Sequence, residues 1–270
     1  MSDEKIVTEC PICDSQRKIS FNAKILNKYD INYLSCEKCG FLQTEQPFWL
    51  EEAYNKAIAD ADTGLVARNI EISKKLACVL YSFFDKKGKY LDMAGGYGML
   101  TRLMRDIGFD FYWSDLYCEN ILAKGFDASI TTNQFCAITA FEVLEHVYDP
   151  IEFIQKSMKD AGTSTIIFST DLFKGNPPNP ESWWYYTFET GQHISFYQAR
   201  TLQFISNKLS LYFYSHKNFH ILTTQPIIRK QLWGIITGRL SNIYYEFIKR
   251  NMPSKTFKDH NFLMKSNNIL

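Results

Sequence analysis

Between residues 89 and 170 the apolar positions change rhythm in a regular way. Short β-favouring runs predict strands at Tyr90–Met93, Phe109–Trp113, Phe135–Ala140 and Ser164–Ser169. Helical spacing predicts a helix over Met99–Ile107, where Leu100, Leu103, Met104 and Ile107 share a face, with Gly108 placed as its C-terminal glycine. A second helix is predicted over Pro150–Ala161, opening on a proline suited to the first helical position. Strands alternating with helices predict an α/β domain, a doubly wound and mostly parallel sheet with helices on both faces. Cys118–Asn133 is short for a full unit, so a strand at Asp127–Ile130 is expected to be abbreviated.

The flanks read differently. Trp49–Asp60 and Thr63–Phe84 are predicted helices around a turn at Asp62-Thr63-Gly64, the second with an apolar stripe of Ile70, Ile72, Leu76, Val79 and Leu80. Leu172–Gly191 breaks the alternation with Pro177, Pro178 and Pro180, then Trp183-Trp184-Tyr185-Tyr186. A proline-punctuated aromatic loop after a central strand is a natural wall for an acceptor pocket. Gln198–Leu209 has helical spacing. Pro226–Arg250 predicts one long helix, striped by Ile228, Leu232, Ile235, Ile236, Leu240, Ile243 and Phe247.

Composition narrows the class. The chain has 270 residues, 46% hydrophobic and 22% charged, as expected of a soluble globular protein. Its net charge of +1 gives no general attraction to nucleic acid, so a nucleic-acid partner is not expected. The charge is uneven: residues 226–270 hold eight Lys/Arg against two Asp/Glu. Packing of this basic, amphipathic segment on its own domain is the plain expectation, with peripheral membrane contact through residues 226–250 as the alternative. No run is apolar enough to span a membrane, and the start of the chain lacks the pattern of a signal peptide. A cytoplasmic, reducing setting is expected.

Four of the seven cysteines form two C-x2-C pairs, Cys10/Cys13 and Cys36/Cys39, separated by 22 residues. Each pair can form a knuckle, and four thiolates close a tetrahedron around zinc with no position left for water. A structural zinc site over residues 1–46 is therefore expected, holding a segment too small to bury a sufficient core alone. Cys78, Cys118 and Cys136 are expected to pack as small apolar residues.

The chain is organised around Tyr90-Leu-Asp-Met-Ala-Gly-Gly-Tyr-Gly98. Strand, glycine turn and helix form the first half of a βαβ unit, whose ligands bind at the carboxyl ends of strands. A dinucleotide fingerprint fits poorly, since Thr101 stands where its last glycine belongs. The better frame is acid-x-G-x-G-x-G over Asp92, Ala94, Gly96 and Gly98, with Gly95 partly offsetting the alanine. A second acid, Asp115, follows the second strand, the place for a carboxylate gripping a ribose diol. Phe141-Glu-Val-Leu-Glu-His146 follows the strand ending at Ala140.

These three landmarks resemble motif I, the second-strand acid and motif IV of the class I S-adenosylmethionine-dependent methyltransferases. The resemblance implies a seven-stranded Rossmann-like sheet with a final antiparallel hairpin, which Leu211–Tyr214 and Phe219–Thr223 fit. It implies S-adenosylmethionine as cofactor. Asp92 would meet its amino group, Ala94, Gly95, Gly96 and Gly98 would give backbone approach, and Asp115 would take the ribose hydroxyls. Leu116 would lie against adenine, Ala140 and Phe141 would line the site, and Arg68, with Asn69, would face the methionine end or the acceptor. Residues 1–46 resemble the N-terminal zinc ribbons of some of these enzymes, and Trp183–Phe196 resembles a segment of the same branch. The domain plan is then a zinc ribbon (1–46), a helical cover segment (47–88), the cofactor-binding domain (89–225) and a basic helical extension (226–270).

Methyl transfer to a small-molecule or glycan acceptor, on oxygen, is the leading expectation. A hydroxyl acceptor needs a base in reach of its proton. His193 and His146 are the candidates by chemistry, with Glu142 and Glu145 next. Each histidine also has a plainer reading, His146 orienting the loop after the strand and His193 as a hydrogen-bonded loop residue. RNA methylation through the zinc ribbon, and a non-catalytic cofactor-binding or zinc scaffold, are the alternatives. No Asn-Pro-Pro-Tyr-type motif follows the fourth strand, and the intact acids and glycines argue against a scaffold.

Overall fold

The computed structural model describes residues 8–54, 62–131, 134–227, 233, 237–238 and 240–267. Its strands are β1 (Thr8–Glu9), β2 (Gln16–Ile25), β3 (Tyr29–Ser35), β4 (Leu42–Thr44), β5 (Lys89–Met93), β6 (Asp110–Ser114), β7 (Ala137–Ala140), β8 (Thr165–Ser169), β9 (Ser195–Phe196), β10 (Tyr212–His216) and β11 (Phe219–Thr223). The helices are α1 (Leu50–Ala53), α2 (Leu65–Phe83), α3 (Met99–Ile107), α4 (Pro150–Asp160), α5 (Ala199–Lys208), α6 (Ser241–Asn251) and α7 (Thr256–Asn267). One sheet runs β10-β11-β8-β7-β5-β6, and a second runs β1-β2-β3-β4-β9. Two compact units divide the chain. One holds Asp60–Ala140, Met158–Ile167 and Gln225–Leu270, and the other Met1–Ala59, Phe141–Ser157 and Phe168–Thr224.

In the unit carrying the glycine turn, β5 pairs in parallel with β6 and β7, placing Asp92 opposite Trp113 and Thr139. Tyr90 and Leu91 are both buried, as expected of a central parallel strand covered on two faces. α3 buries Leu100, Met104 and Ile107 of the stripe read from the sequence, leaves Leu103 half-buried, and stops at Gly108, whose N–H donates to the Met104 carbonyl at 3.1 Å. Arg105 also lies on the buried face. Its Nε and Nη2 donate to the two oxygens of Asp259 at 2.8 Å each, and Nη1 donates to Asp110 at 3.0 Å and to the Phe111 carbonyl at 2.8 Å. This fork ties α7 to α3.

The other unit is built on the antiparallel ribbon β1–β4, extended by β9 through Leu42↔Phe196 and Gln43↔Ser195. Its core gathers Ile25, Tyr33, Trp49, Tyr185, Tyr186 and Phe196. The Trp49 indole donates to the Gly191 carbonyl at 2.8 Å. Gly191 has φ +64°, and a Cβ there would stand 2.5 Å from Ile25, so only glycine lets these two segments meet. β10 and β11 form the expected closing hairpin.

Four expectations need correcting. Among the described residues the parallel-rich sheet has six strands, not seven. The segment expected at Asp127–Ile130 makes a single bridge, Trp113↔Asp127, and then turns into a 3-10 helix at Ala128–Ile130, so it adds no ladder. The helix expected over Trp49–Asp60 is a single turn, Leu50–Ala53, where described; residues 55–61 lie outside the described residues. The long helix expected over Pro226–Arg250 is not continuous: Thr237-Gly238 form a turn and α6 starts only at Ser241. Residues 228–232, 234–236 and 239 of that expectation lie outside the described residues. Of its stripe, the described Leu240, Ile243 and Phe247 are all exposed, and the neighbouring Ile248, outside the stripe, is the buried residue. Among the described residues no helix is long and apolar enough to cross a membrane.

Candidate active site

The glycine turn is fastened by its neighbours rather than merely permitted by its glycines. Asp92, at 2% exposure, lies beneath the turn and accepts hydrogen bonds from Thr139 Oγ1 at 2.8 Å and Thr101 Oγ1 at 3.2 Å. Burial pushes its carboxyl up to about 7, with the two threonine hydroxyls working in the opposite direction. Ala94, Gly96 and Gly98 all have positive φ, at +50°, +54° and +85°. Ala94 thus adopts the left-handed conformation that a glycine would supply without strain, at a cost of about 1–2 kcal/mol. Gly98 opens α3, and a Cβ there would meet Asn120 Oδ1 at 2.8 Å.

From β6, Trp113 Nε1 donates to the Gly96 carbonyl at 2.9 Å. Asp115 accepts from the Gly96 amide at 2.9 Å through Oδ2, and from the Tyr117 and Cys118 amides at 2.7 and 2.8 Å through Oδ1. An ionised carboxylate offers about four acceptor positions, so three backbone bonds leave room for a ligand hydroxyl. Beside it, Leu116 is 91% exposed and Tyr117 70% exposed. A carboxylate flanked by bare apolar side chains at a strand end suits a ligand with a diol and a flat ring.

Arg68 is gripped by Asp62, with Nη2 to Oδ2 at 2.7 Å and Nη1 to Oδ1 at 3.2 Å. Ala140 is buried at the end of β7. Phe141 packs its ring on Phe219, with centroids 5.4 Å apart.

The loop after β7 gathers the remaining candidates within the ribbon-bearing unit. Glu142 has φ +55° and its amide donates to Ser169 Oγ at 2.8 Å; the same hydroxyl donates to its carboxylate. Glu145 is fully buried. Burial first, and then the charge of Glu142, pushes its carboxyl well above the usual range, and the Tyr185 hydroxyl, outside hydrogen-bonding geometry, offsets only part of this. The rings of His146 and His193 meet edge to face with centroids 4.8 Å apart. His146 Nδ1 lies 3.0 Å from the Gln192 carbonyl, and His193 Nδ1 lies 2.7 Å from the Tyr185 carbonyl. Burial lowers His146 to about 4, so its imidazole is neutral at pH 7. The structure thus brings His146, His193 and Glu145 together.

The aromatic loop behaves differently from the expected pocket wall. Tyr185 and Tyr186 are fully buried, and Trp183 packs edge-on to Tyr186 with centroids 4.7 Å apart. Only Trp184 of the four is exposed, at 70%. The loop closes the core of its own unit.

Among known families, the one described as a methyltransferase domain matches residues 68–208. The chain belongs to that family. No curated protein sequence matches it. Among solved structures, TnmH is similar at 14% identity and TM-score 0.45, over 67% of this chain and 62% of that one. An O-methyltransferase family protein from Burkholderia thailandensis is similar at 11% identity and TM-score 0.46, over 64% and 61% of the two chains. The magnesium protoporphyrin IX methyltransferase ChlM of Synechocystis PCC 6803, solved with bound SAM, is similar at 14% identity and TM-score 0.35, over 65% and 90%. This chain spans about 62% of the length of TnmH.

The cysteine cluster of this methyltransferase-family chain closes as its spacing predicts. Cys10 and Cys39 sulfurs are 3.5 Å apart, as are those of Cys13 and Cys36, and all four lie within 4.8 Å of one another. Tetrahedral Zn–S bonds of about 2.3 Å put sulfurs about 3.8 Å apart, so the set fits zinc and is too wide for disulfides. The two knuckles are alike: Asp14 and Gly40 each donate an amide back to the first cysteine of the pair, at 2.9 and 2.8 Å, and each has positive φ. A hydrogen bond from Cys39, against the effect of burial, holds the Cys10 thiol down at about 5.

Sequence reasoning missed the full burial of Glu145 and the strand β9 beside His193. A carboxylate adjacent to a histidine in a loop carries no burial signal of its own, and a two-residue strand is too short to show a period.

Proposed function

We propose that this chain transfers a methyl group from S-adenosylmethionine to an oxygen of a small-molecule or glycan acceptor. The observation that carries the reading is Asp115, a carboxylate bonded to the Gly96 amide and flanked by exposed Leu116 and Tyr117. The ribose hydroxyls would be held by Asp115, the adenine by Leu116, and the backbone approach given by Ala94, Gly95, Gly96 and Gly98. Asp92 would fix the turn from below and favour a cationic ligand, Ala140 and Phe141 would line the site, and Arg68, steadied by Asp62, would face the methionine end. When bound, the cofactor supplies an electrophilic methyl on a sulfonium.

The chain's share of the chemistry is positioning, exclusion of water and handling of the acceptor's proton. Glu142, His146 and His193 are assigned to the acceptor side. A neutral His146 can accept a proton or a ligand without first losing one. Cys10, Cys13, Cys36 and Cys39 are assigned to a structural zinc ion.

The test pairs calorimetry with turnover. S-adenosylhomocysteine should bind the purified chain, and methyl-labelled S-adenosylmethionine should label an acceptor within a panel of phenols, alcohols and sugars. Absence of any binding heat from a zinc-loaded, folded sample would overturn the reading.

A further inference from the structure

Glu145 is out of place as an isolated acid. It is fully buried, and neither carboxylate oxygen has a hydrogen-bond partner among the described residues. A buried carboxylate in that state is costly unless a cation or a ligand completes it. Its neighbours supply the rest of a donor set. One ring nitrogen of His146, one of His193 and one oxygen of Glu145 lie within 4.8 Å of one another.

The histidine tautomers are fixed by the backbone. Each Nδ1 faces a carbonyl, of Gln192 or of Tyr185, and a carbonyl only accepts. Both Nδ1 atoms therefore carry a proton, which makes Nε2 the nitrogen that either ring can offer to an ion. Metal-binding histidines are oriented in this way, one nitrogen donating to a carbonyl and the other facing the ion.

We propose that Glu145, His146 and His193 bind a divalent transition-metal ion, best matched by zinc. Two imidazoles with one carboxylate suit zinc and its neighbours in the series; magnesium and calcium prefer all-oxygen sets. Three protein ligands leave a coordination position open, in contrast to the closed thiolate cluster. Water or the oxygen of an acceptor would occupy it. Use of the ion in methyl transfer rests on the function proposed above; binding of the ion does not.

Cobalt separates this site from the thiolate cluster. The full chain is stripped with chelator under reducing conditions and titrated with Co2+. Thiolate-bound cobalt shows intense near-ultraviolet charge-transfer absorption, whereas a histidine–carboxylate site adds metal without it. The expected result is one equivalent of cobalt bound without thiolate absorption, lost in Glu145→Gln and in His193→Gln while the thiolate bands stay. His193→Gln decides the case if Glu145→Gln does not fold, because that ring is only half-buried. Cobalt binding accompanied throughout by thiolate absorption, or retention of the extra equivalent in His193→Gln, overturns the proposal. S-adenosylhomocysteine calorimetry on the same samples keeps the two readings apart. Lost cofactor binding with the extra cobalt present removes only the function proposed above, and the converse removes only the metal.

Discussion

The amide of Gly96 donates to the carboxylate of Asp115 at 2.9 Å. Because that carboxylate also accepts the Tyr117 and Cys118 amides, one side chain braces the turn after β5 and shapes the loop after β6. Asp115→Ala should weaken S-adenosylhomocysteine binding by roughly ten- to a hundredfold, the equivalent of about 1.5–3 kcal/mol for hydrogen bonds to a charged group. Asp115→Asn keeps one acceptor oxygen and should lose less. Calorimetry on the three proteins checks the order; equal affinities would sink the assignment.

Asp92 should make cofactor binding pH-dependent. Its carboxyl is raised to about 7 by burial, so at pH 6 it is mostly protonated and at pH 8 mostly ionised. A cationic ligand favours the ionised form, so S-adenosylmethionine affinity should rise across this interval. The effect on folding has the opposite sign. A raised acid contributes stability that is complete below its unfolded value, declines as pH climbs toward 7, and is constant beyond. Asp92→Asn should flatten both profiles, read by calorimetry and by urea midpoints at a series of pH values.

The thiolate cluster should be needed for the fold of its unit. Cys36→Ser removes one of four ligands, and elemental analysis of the purified protein should show that zinc lost. Full retention of zinc would exclude this ligand set. Because structural zinc contributes folding free energy directly, chelation of the wild-type chain should also lower its thermal midpoint.

The Arg105–Asp259 fork should be a large contributor to stability. Asp259 is 3% exposed and Arg105 4% exposed, so Asp259→Ala leaves a buried guanidinium short of its partner. The expected loss is roughly 3 kcal/mol, the low end for a broken buried pair, because Arg102 and Asp106 keep one side of the network open to water. Burial alone would raise the Asp259 carboxyl, but hydrogen bonds and charge from Arg105 and Arg102 overcome it and hold it low. Its contribution is therefore present at neutral pH and lost in acid. Urea unfolding of wild type and variant at pH 7 and pH 3 should show a difference that shrinks at the lower pH.

The sequence was most legible where local chemistry and tertiary position agree. β5 and α3 lie where expected because Gly98 and Gly108 punctuate an apolar stripe that is also the buried face. The cysteine set was legible because ligand spacing is itself a distance constraint. Even the departure at Ala94 keeps the backbone geometry of a glycine.

Legibility fails where the deciding partner is remote. The stripe across 226–250 has helical spacing, yet Thr237-Gly238 turn before α6. α7 has a weak apolar pattern and owes its place to Asp259 meeting Arg105, 154 residues earlier. The aromatic run at 183–186 reads as a pocket lining, but Tyr33 of the ribbon and Trp49 ahead of α1 share one core with Tyr185 and Tyr186.

β9 has only two residues, yet it hangs from the ribbon by several threads. Gln43 pairs with Ser195, the Thr44 amide donates to the Ile194 carbonyl at 3.0 Å, and Thr201 Oγ1 donates to the Cys39 carbonyl at 2.8 Å. His193 immediately precedes Ile194. A shortened chain made by trimming the cysteine segment would remove β4, the strand that pairs with the residues just after this histidine. The amino-terminal module is a foundation for the loop that holds His193, and an engineer should treat it as a fixed part of this chain.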